Sequence, residues 1–188
     1  EATRKLMRSG HLSRPIISSA CPAVVRLIRV RFPALCSHVL PLNAPMETAA
    51  AIAKDEAAAR LGIPRERIGA FFITPCPAKV TDIRVPIGTK ESQVDGAIAI
   101  SEIFPRLSYA MSHIPEIEPI AKSGVIGVGW ASSGGECAGL LTDHYLAADG
   151  IENVIRVLEE LEDERIRGLT FAELNACSGG CVGGVFCV

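Results

Sequence analysis

Two cysteines lie four positions apart among glycines in the stretch NACSGGCVGG, residues 175–184. Two more stand directly before prolines, Cys21 in SSACPAVVRLI and Cys76 in TPCPAKV. Four thiolates delivered by separate loops are typical ligands of an iron-sulfur cluster. Glycines allow backbone amides to approach such a cluster and hydrogen-bond its sulfurs. Cys21, Cys76, Cys177 and Cys181 are therefore candidate ligands of one cluster.

Secondary-structure signals around these cysteines predict how they are positioned. Residues 22–32 begin with proline and carry buried-type apolar residues, so a helix is expected directly after Cys21. Residues 67–74 form an apolar, partly β-branched run, which predicts a buried strand just before Cys76. Helix amino termini and strand ends suit thiolates, because unpaired amides stabilise negative charge there.

The rest of the chain alternates between helix and strand signals. Helices are predicted at 45–62, 135–148 and 151–162, and strands at 96–100, 124–130 and, as a strand or extended segment, 166–174. This alternation favours an α/β fold with mainly parallel sheets flanked by helices. At 188 residues with 48% hydrophobic content, the chain can form one domain or two small lobes sharing a core.

Charge and hydropathy exclude several classes of function. The net charge of -2 gives no general basic field, although residues 1–35 hold seven Lys and Arg against Glu1 alone. No aromatic residues are interleaved with these charges, so we interpret them as a solvated or docking face and expect no nucleic-acid partner. No long apolar run predicts a membrane span, and no signal peptide is recognisable. Seven cysteines, an odd number, fit a disulfide framework poorly, so a cytoplasmic location is expected.

Simpler interpretations compete with the cluster hypothesis. The four cysteines can be buried structural thiols or bind adventitious zinc, although zinc sites prefer C-x-x-C pairs. Lys79 can be an ordinary surface lysine. The SSGGECAG glycines, residues 132–139, can form a tight turn without a ligand. The remaining cysteines and the histidines share no spacing and are interpreted as core or surface residues: Cys36, Cys137, Cys187, His11, His38, His113 and His144.

The three cysteine segments, in this order, resemble the signature segments of the iron-only ([FeFe]) hydrogenase catalytic domain. The connecting segments VDGAIAISEI (94–103) and SSGGECA (132–138) are also similar to that family. The resemblance covers nearly the whole chain but only the central part of the family's domain. It implies that residues 1–188 are a partial domain lacking flanking segments, with the cluster between two lobes.

The resemblance also implies roles for single residues. Cys21, Cys76, Cys177 and Cys181 would hold a cubane [4Fe-4S] cluster, and Cys181 would also bridge to a two-iron subcluster at which hydrogen is split or formed. Lys79 matches the family lysine that hydrogen-bonds a cyanide ligand of that subcluster. Cys181 and Lys79 are thus the residues expected to act in catalysis.

Ala20 departs from the family pattern, because active members usually carry a proton-shuttling cysteine there. Thr74 and Asn175 stand where methionines are common. Similar replacements mark the branch of the family to which a sensory role is assigned, and the resemblance implies slow, reversible hydrogen and proton chemistry. It also implies coupling to electron-transfer or signalling domains of the same or another chain. The alternative is a non-catalytic [4Fe-4S] domain like those of cytosolic iron-sulfur assembly proteins.

Overall fold

The chain folds into two compact units, each with its own parallel sheet. The computed structural model describes residues 2–116 and 123–187. The first unit comprises residues 1–42 and 123–183, and the second comprises residues 43–122 and 184–188. Among the described residues, no helix is both long and apolar enough to cross a membrane.

The described residues contain eight α-helices and five strands. In chain order these are α1 (Ala2–Ser9), β1 (Ile16–Ile17), α2 (Pro22–Arg31), α3 (Pro45–Leu61), β2 (Phe71–Thr74), α4 (Pro77–Arg84), β3 (Gly96–Ala99), α5 (Ile100–Met111), α6 (Val125–Gly129), α7 (Gly135–Leu140), β4 (Tyr145–Asp149), α8 (Ile151–Glu162) and β5 (Phe171–Asn175).

The sheet of the first unit has the strand order β1-β5-β4, with both pairs parallel. The central strand β5 is buried from Phe171 to Leu174, as expected for a strand covered on both faces. Its register places Ile17 opposite Ala172 and Asp149 opposite Asn175. Because the strands are parallel, the segments that follow β1, β4 and β5 leave the sheet at the same edge.

Helices α2 and α8 pack together with β1 and β5 in the main core of this unit. In α8 the residues Val154, Leu158 and Leu161 recur at helical spacing and are all buried. Helix α2 contributes Val24 and Ile28, neither of which is exposed to solvent. The first turn of α2, which follows Cys21, is therefore fixed on a packed core.

The second unit is built on the parallel pair β2 and β3, in register from Phe71↔Gly96 to Thr74↔Ala99. Met46 and Ala50 of α3 form a small core with Val94. The buried carboxylate of Glu47 accepts hydrogen bonds from the hydroxyl of Ser92 and the amide of Gln93, each 2.6 Å long.

The mainly parallel α/β architecture predicted from sequence is confirmed. The predicted helices at 22–32, 45–62 and 151–162 are present with bounds within one residue, and the predicted strand at 96–100 is present at Gly96–Ala99. Gly62, with a φ of 65°, caps α3 in the left-handed conformation that glycine favours. The strand predicted at 67–74 begins only at Phe71, and it is not buried as predicted, because Phe71 and Ile73 are exposed.

Two predicted elements between residues 124 and 148 were wrong. Residues 125–129 form the short helix α6 rather than a strand. The β-branched pattern favoured a strand, but no strand of the described residues pairs with this segment. The helix predicted at 135–148 ends at Leu140, and its second half is strand β4. Pairing with β5 overrides the helix propensity of the Leu-Ala-Ala run.

Candidate metal-cluster site

Cys21 lies between β1 and α2 at the carboxyl edge of the first unit's sheet. It is the N-cap of α2, with φ −96° and ψ 105°, and Pro22 follows as the first helical residue. Its carbonyl accepts the 3.0 Å hydrogen bond from the Val25 amide that starts the helix. The side chain is half-buried and packs against the main core. The predicted position at a helix entry is confirmed.

Cys177 and Cys181 flank a tight loop that leaves the same sheet edge after β5. The amides of Gly150 and Gly180 both donate to the Cys177 carbonyl, at 3.3 Å and 3.2 Å. The Ser133 amide donates to the Gly179 carbonyl at 3.0 Å. Both cysteine side chains are half-buried. Two of the three cysteine segments therefore converge at one edge of one sheet.

The loop glycines are required by close backbone packing within the loop and against neighbouring segments. Gly179 and Gly180 have φ of 79° and 89°, which favours glycine, and a Cβ on Gly180 would lie 2.6 Å from the Ser133 amide nitrogen. A Cβ on Gly183 would also meet the Ser178 carbonyl oxygen. The amides of Gly179, Gly180 and Gly183 donate to protein acceptors. Close backbone packing requires these glycines, and their amides support the loop itself.

Cys76 occupies a corresponding place in the second unit, between β2 and α4. It is the N-cap of α4, Pro77 is the first helical residue, and the Thr74 hydroxyl accepts the Cys76 amide at 3.1 Å. Thr74 is fully buried. The side chain of Cys76 is half-buried. Cys21 and Cys76 thus share the same local geometry: strand, cysteine, proline, helix.

Lys79 lies in the first turn of α4 and is only 7% exposed. Lysine is almost never buried in this way unless its ammonium is paired. The simpler interpretation of Lys79 as a surface lysine is therefore wrong. Asp82, three residues further along the same helix, is buried as well.

The seven cysteines differ in accessibility. The four motif cysteines are half-buried, whereas Cys137 is fully buried and Cys36 and Cys187 are exposed. Burial and the neighbouring Glu173 carboxylate raise the pKa of the Cys137 thiol, which keeps it protonated. Within residues 2–116 and 123–187, no three His, Cys, Asp or Glu side chains form a group able to hold a single metal ion.

Two buried carboxyl groups, those of Glu136 and Glu173, were not among the site residues predicted from the sequence. The Ser18 hydroxyl donates a 2.5 Å hydrogen bond to Glu136 and accepts the Ala20 amide at 3.2 Å. Burial raises the pKa of Glu136 to about 7, opposed by the Ser18 hydrogen bond and supported by the charge of Glu173. A carboxyl group with this pKa can gain and lose a proton near neutrality.

Glu173, the second carboxyl group, holds the start of α7. Its two oxygens accept the amides of Gly134 and Cys137, each at 2.9 Å, and the Asn175 side chain donates to it at 3.0 Å. Gly134 has a φ of 83°, so the SSGGECAG glycines form a turn, as the simpler interpretation held. The sequence offered one signal for these two residues: Glu136 lies inside the segment SSGGECA, and Glu173 begins the segment ELNACSGGCVGG.

Comparison with known proteins identifies the family. The model of the family described as iron only hydrogenase large subunit, C-terminal domain, matches residues 1–145. The chain belongs to this family. The matched region contains Cys21, Cys76 and Lys79, whereas Cys177 and Cys181 lie beyond it.

Two relatives show how far the sequence similarity extends along the chain. The chain is 27% identical to the NADP-reducing hydrogenase subunit HndD of Solidesulfovibrio fructosivorans, covering 96% of this chain and 38% of the relative. It is 32% identical to the cytosolic Fe-S cluster assembly factor nar1 of Emericella nidulans over 76 residues, which is 40% of this chain and 13% of that protein. The chain therefore spans well under two thirds of either relative.

The solved structures share the fold of the chain. A variant of [FeFe]-hydrogenase HydA1 from Chlamydomonas reinhardtii matches with a TM-score of 0.69 at 17% identity, covering 97% of this chain and 65% of that one. An apo variant of the same enzyme gives a TM-score of 0.65 at 17% identity, covering 95% and 62%. The iron-hydrogenase fold is thus confirmed.

Family membership implies an iron-sulfur cofactor, and the donor set of the chain fits one. Three half-buried thiols, those of Cys21, Cys177 and Cys181, follow two neighbouring parallel strands, and Cys76 caps a helix in the other unit. Thiolates are the ligands that such clusters require.

Proposed function

We propose that the chain is the cluster-binding part of an [FeFe] hydrogenase-like protein, in which Cys21, Cys76, Cys177 and Cys181 ligate a [4Fe-4S] cluster. Cys181 would also help to hold a two-iron subcluster, which would supply the chemistry by which hydrogen is split or formed. The observation that carries the proposal is the exit of the Cys21 and Cys177 segments from adjacent parallel strands at one sheet edge. Two segments that are far apart in sequence therefore leave the sheet at the same edge.

Burial of Lys79 supports the catalytic form of the proposal. A cubane cluster alone needs no lysine, whereas a cyanide ligand of the two-iron subcluster accepts a hydrogen bond from one. Lys79 lies one helical turn after Cys76, on the helix that Cys76 caps. Its burial places Lys79 away from solvent, as a role at the site requires.

Proton delivery is the step at which this chain departs from its relatives. Ala20 has no titratable proton, so another group must supply the site. The Ser18 hydroxyl donates to Glu136 and accepts the Ala20 amide, so it could pass its proton to the carboxylate only while taking another proton from the cluster site. We assign Glu136 as the proton-holding group and Ser18 as its partner. Turnover through this substitute is expected to be slow, which suits a sensory role.

Electrons also have to enter and leave. Splitting one hydrogen molecule yields two protons and two electrons, and these electrons must pass from the cluster to an acceptor. Electron-transfer or signalling domains of the same or another chain therefore act as partners, in a cytoplasmic protein.

A non-catalytic [4Fe-4S] domain is the second candidate, favoured by the 32% identity to the assembly factor nar1. Infrared spectroscopy of protein produced together with hydrogenase maturation enzymes separates the two functions. Carbonyl and cyanide stretching bands are expected, and Lys79→Ala should shift the cyanide bands or remove the two-iron unit. A matched control is Lys90→Ala, because Lys90 is exposed in the same unit. Loaded [4Fe-4S] protein without these bands would establish the non-catalytic function.

A further inference from the structure

The loop between Cys177 and Cys181 is held by a carboxylate that the sequence motifs do not include. Asp149, the last residue of β4, accepts the amide of Gly179 at 2.9 Å and a hydrogen bond from the Ser133 hydroxyl. We propose that Asp149 is a positioning residue that fixes the Cys177–Cys181 loop in its ligating geometry and lowers the reduction potential of the bound cluster. This inference rests on the proposed cluster site.

The loop needs such a support because it contributes few side-chain contacts of its own. Ser178 and Gly179 are exposed, and glycine loses more backbone freedom on ordering than any other residue. A charged acceptor forms a stronger hydrogen bond with a backbone amide than a neutral one does. The hydrogen bond to the Asp149 carboxylate therefore offsets part of the free-energy cost of ordering the Gly179–Gly180 turn.

Asp149 is itself rigidly placed. It is paired in register with Asn175 at the end of β5, two residues before Cys177. The side-chain amide of Asn153 donates to the Asp149 carbonyl at 2.9 Å, and the next residue, Gly150, donates its amide to the Cys177 carbonyl. Asp149 therefore connects the edge of the sheet to the loop through a hydrogen bond.

A third segment is tied into the same arrangement. Ser133 donates its amide to the Gly179 carbonyl at 3.0 Å and its hydroxyl to Asp149. Val182, directly after Cys181, donates its amide to the Ala131 carbonyl at 3.4 Å. The loop is consequently held on one side by β4 and on the other by residues 131–133, and Asp149 contacts both sides.

The charge of Asp149 has a second effect. Hydrogen bonds from Gly179 and then Ser133 hold the pKa of the Asp149 carboxyl below its usual value, so it is ionised at neutral pH. A fixed negative charge hydrogen-bonded to the loop between two cluster ligands disfavours the addition of an electron to the cluster. Removing the charge should make the reduction potential less negative.

Three variants separate the effect of Asp149 on loop order from the effect of its charge on the reduction potential. Asp149→Asn keeps an oxygen that can accept the Gly179 amide but removes the charge, Asp149→Ala removes both, and Asp143→Asn is the control at an exposed site just before β4. Each protein is measured as apo chain by amide hydrogen exchange at Gly179, and after reconstitution by bound iron and by reduction potential from an electron paramagnetic resonance titration.

In Asp149→Ala, Gly179 exchange in the apo chain is expected to rise about ten-fold or more, and bound iron to fall. Asp149→Asn should retain more iron than Asp149→Ala and show a less negative potential than wild type. Asp143→Asn should match wild type throughout. Wild-type exchange, iron content and potential in both Asp149 variants would overturn the inference. Failure of wild-type protein to bind iron would refute the proposed function, while apo exchange would still decide whether Asp149 orders the loop.

Discussion

The hydroxyl of Ser18 and the carboxyl group of Glu136 form a buried 2.5 Å hydrogen bond across 118 positions of sequence. Ser18 lies three residues before the candidate ligand Cys21, and Glu136 lies in the first turn of α7. The bond therefore links the segment that presents a cluster ligand to a group that titrates near neutral pH. Its effect on stability and its effect on catalysis can be measured separately.

The stability of the apo chain should fall as the pH rises from about 4.5 to about 7. Burial raises the pKa of Glu136 from 4.5 to about 7, so the folded chain binds more protons than the unfolded chain in this window. The contribution of Glu136 to the free energy of unfolding is present in full below pH 4.5 and is lost above about pH 7. It amounts to up to about 3 kcal/mol.

Glu136→Gln keeps the acceptor for Ser18 and cannot ionise. Urea unfolding at pH 5 and pH 8 should show a smaller loss of stability in this variant than in wild type, with the variant more stable at pH 8. Glu152→Gln, at an exposed position of α8, is the control and should follow wild type. An identical pH dependence in wild type and Glu136→Gln would contradict the assignment.

In the matured protein, Glu136→Gln should reduce hydrogen evolution from reduced viologen. A positioned acid or base contributes a factor of about 10² to 10⁴ in rate, and we expect a loss toward the lower end because the pathway is already slow. Unchanged carbonyl and cyanide infrared bands would show that the cluster itself is intact. Glu152→Gln should retain the wild-type rate. If Glu136→Gln evolves hydrogen as fast as wild type, protons reach the site by another route.

Ala20 predicts slow turnover in the unaltered protein. Relatives with cysteine at this position have a titratable group there, whereas we propose that this chain uses Glu136 through Ser18. We expect wild-type turnover about 10² to 10⁴ below that of such relatives under the same viologen assay. A rate equal to theirs would show that the sensory interpretation is wrong.

Gly180→Ala should destabilise the first unit more than Gly168→Ala. Both glycines have positive φ, 89° and 75°, but nothing lies within 4 Å of a Cβ on Gly168, whereas one on Gly180 would meet Ser133 and Ala131. The clash should cost about 1–3 kcal/mol beyond the shared backbone strain. Urea unfolding of the apo variants measures the difference. Equal losses in the two variants would mean that the loop packs less tightly against residues 131–133 than the structure indicates.

Local patterns predicted the elements that rest on local interactions. Pro22 and Pro45 at helix starts and Gly62 at a helix end gave correct bounds, because capping is decided by neighbouring residues. The strand β4 and the helix α6 were mispredicted, because strand formation depends on a pairing partner that is distant in sequence. Helix α5 was missed as well, with Pro105 in its interior.

The candidate site, like the fold, was predicted where local sequence patterns determine it and missed where distant residues do. The sequence patterns located Cys21 at a helix entry and Cys76 just after a strand, whereas helix α4, which begins after Cys76, was not predicted. The supporting groups could not be predicted, because Glu136, Glu173 and Asp149 act through hydrogen bonds to residues between 30 and 118 positions away. Only the folded chain shows that these carboxyl groups adjoin the cysteine segments.

The central claim is that one cluster is held by Cys21, Cys76, Cys177 and Cys181 together, and bound iron after anaerobic reconstitution tests it most directly. Cys76→Ala and Cys177→Ala should each lose most of the iron and the visible absorption of a [4Fe-4S] cluster. Cys36→Ser and Cys187→Ser, which alter exposed cysteines outside the motifs, should bind as much iron as wild type. Wild-type iron content in Cys76→Ala or Cys177→Ala would contradict the claim.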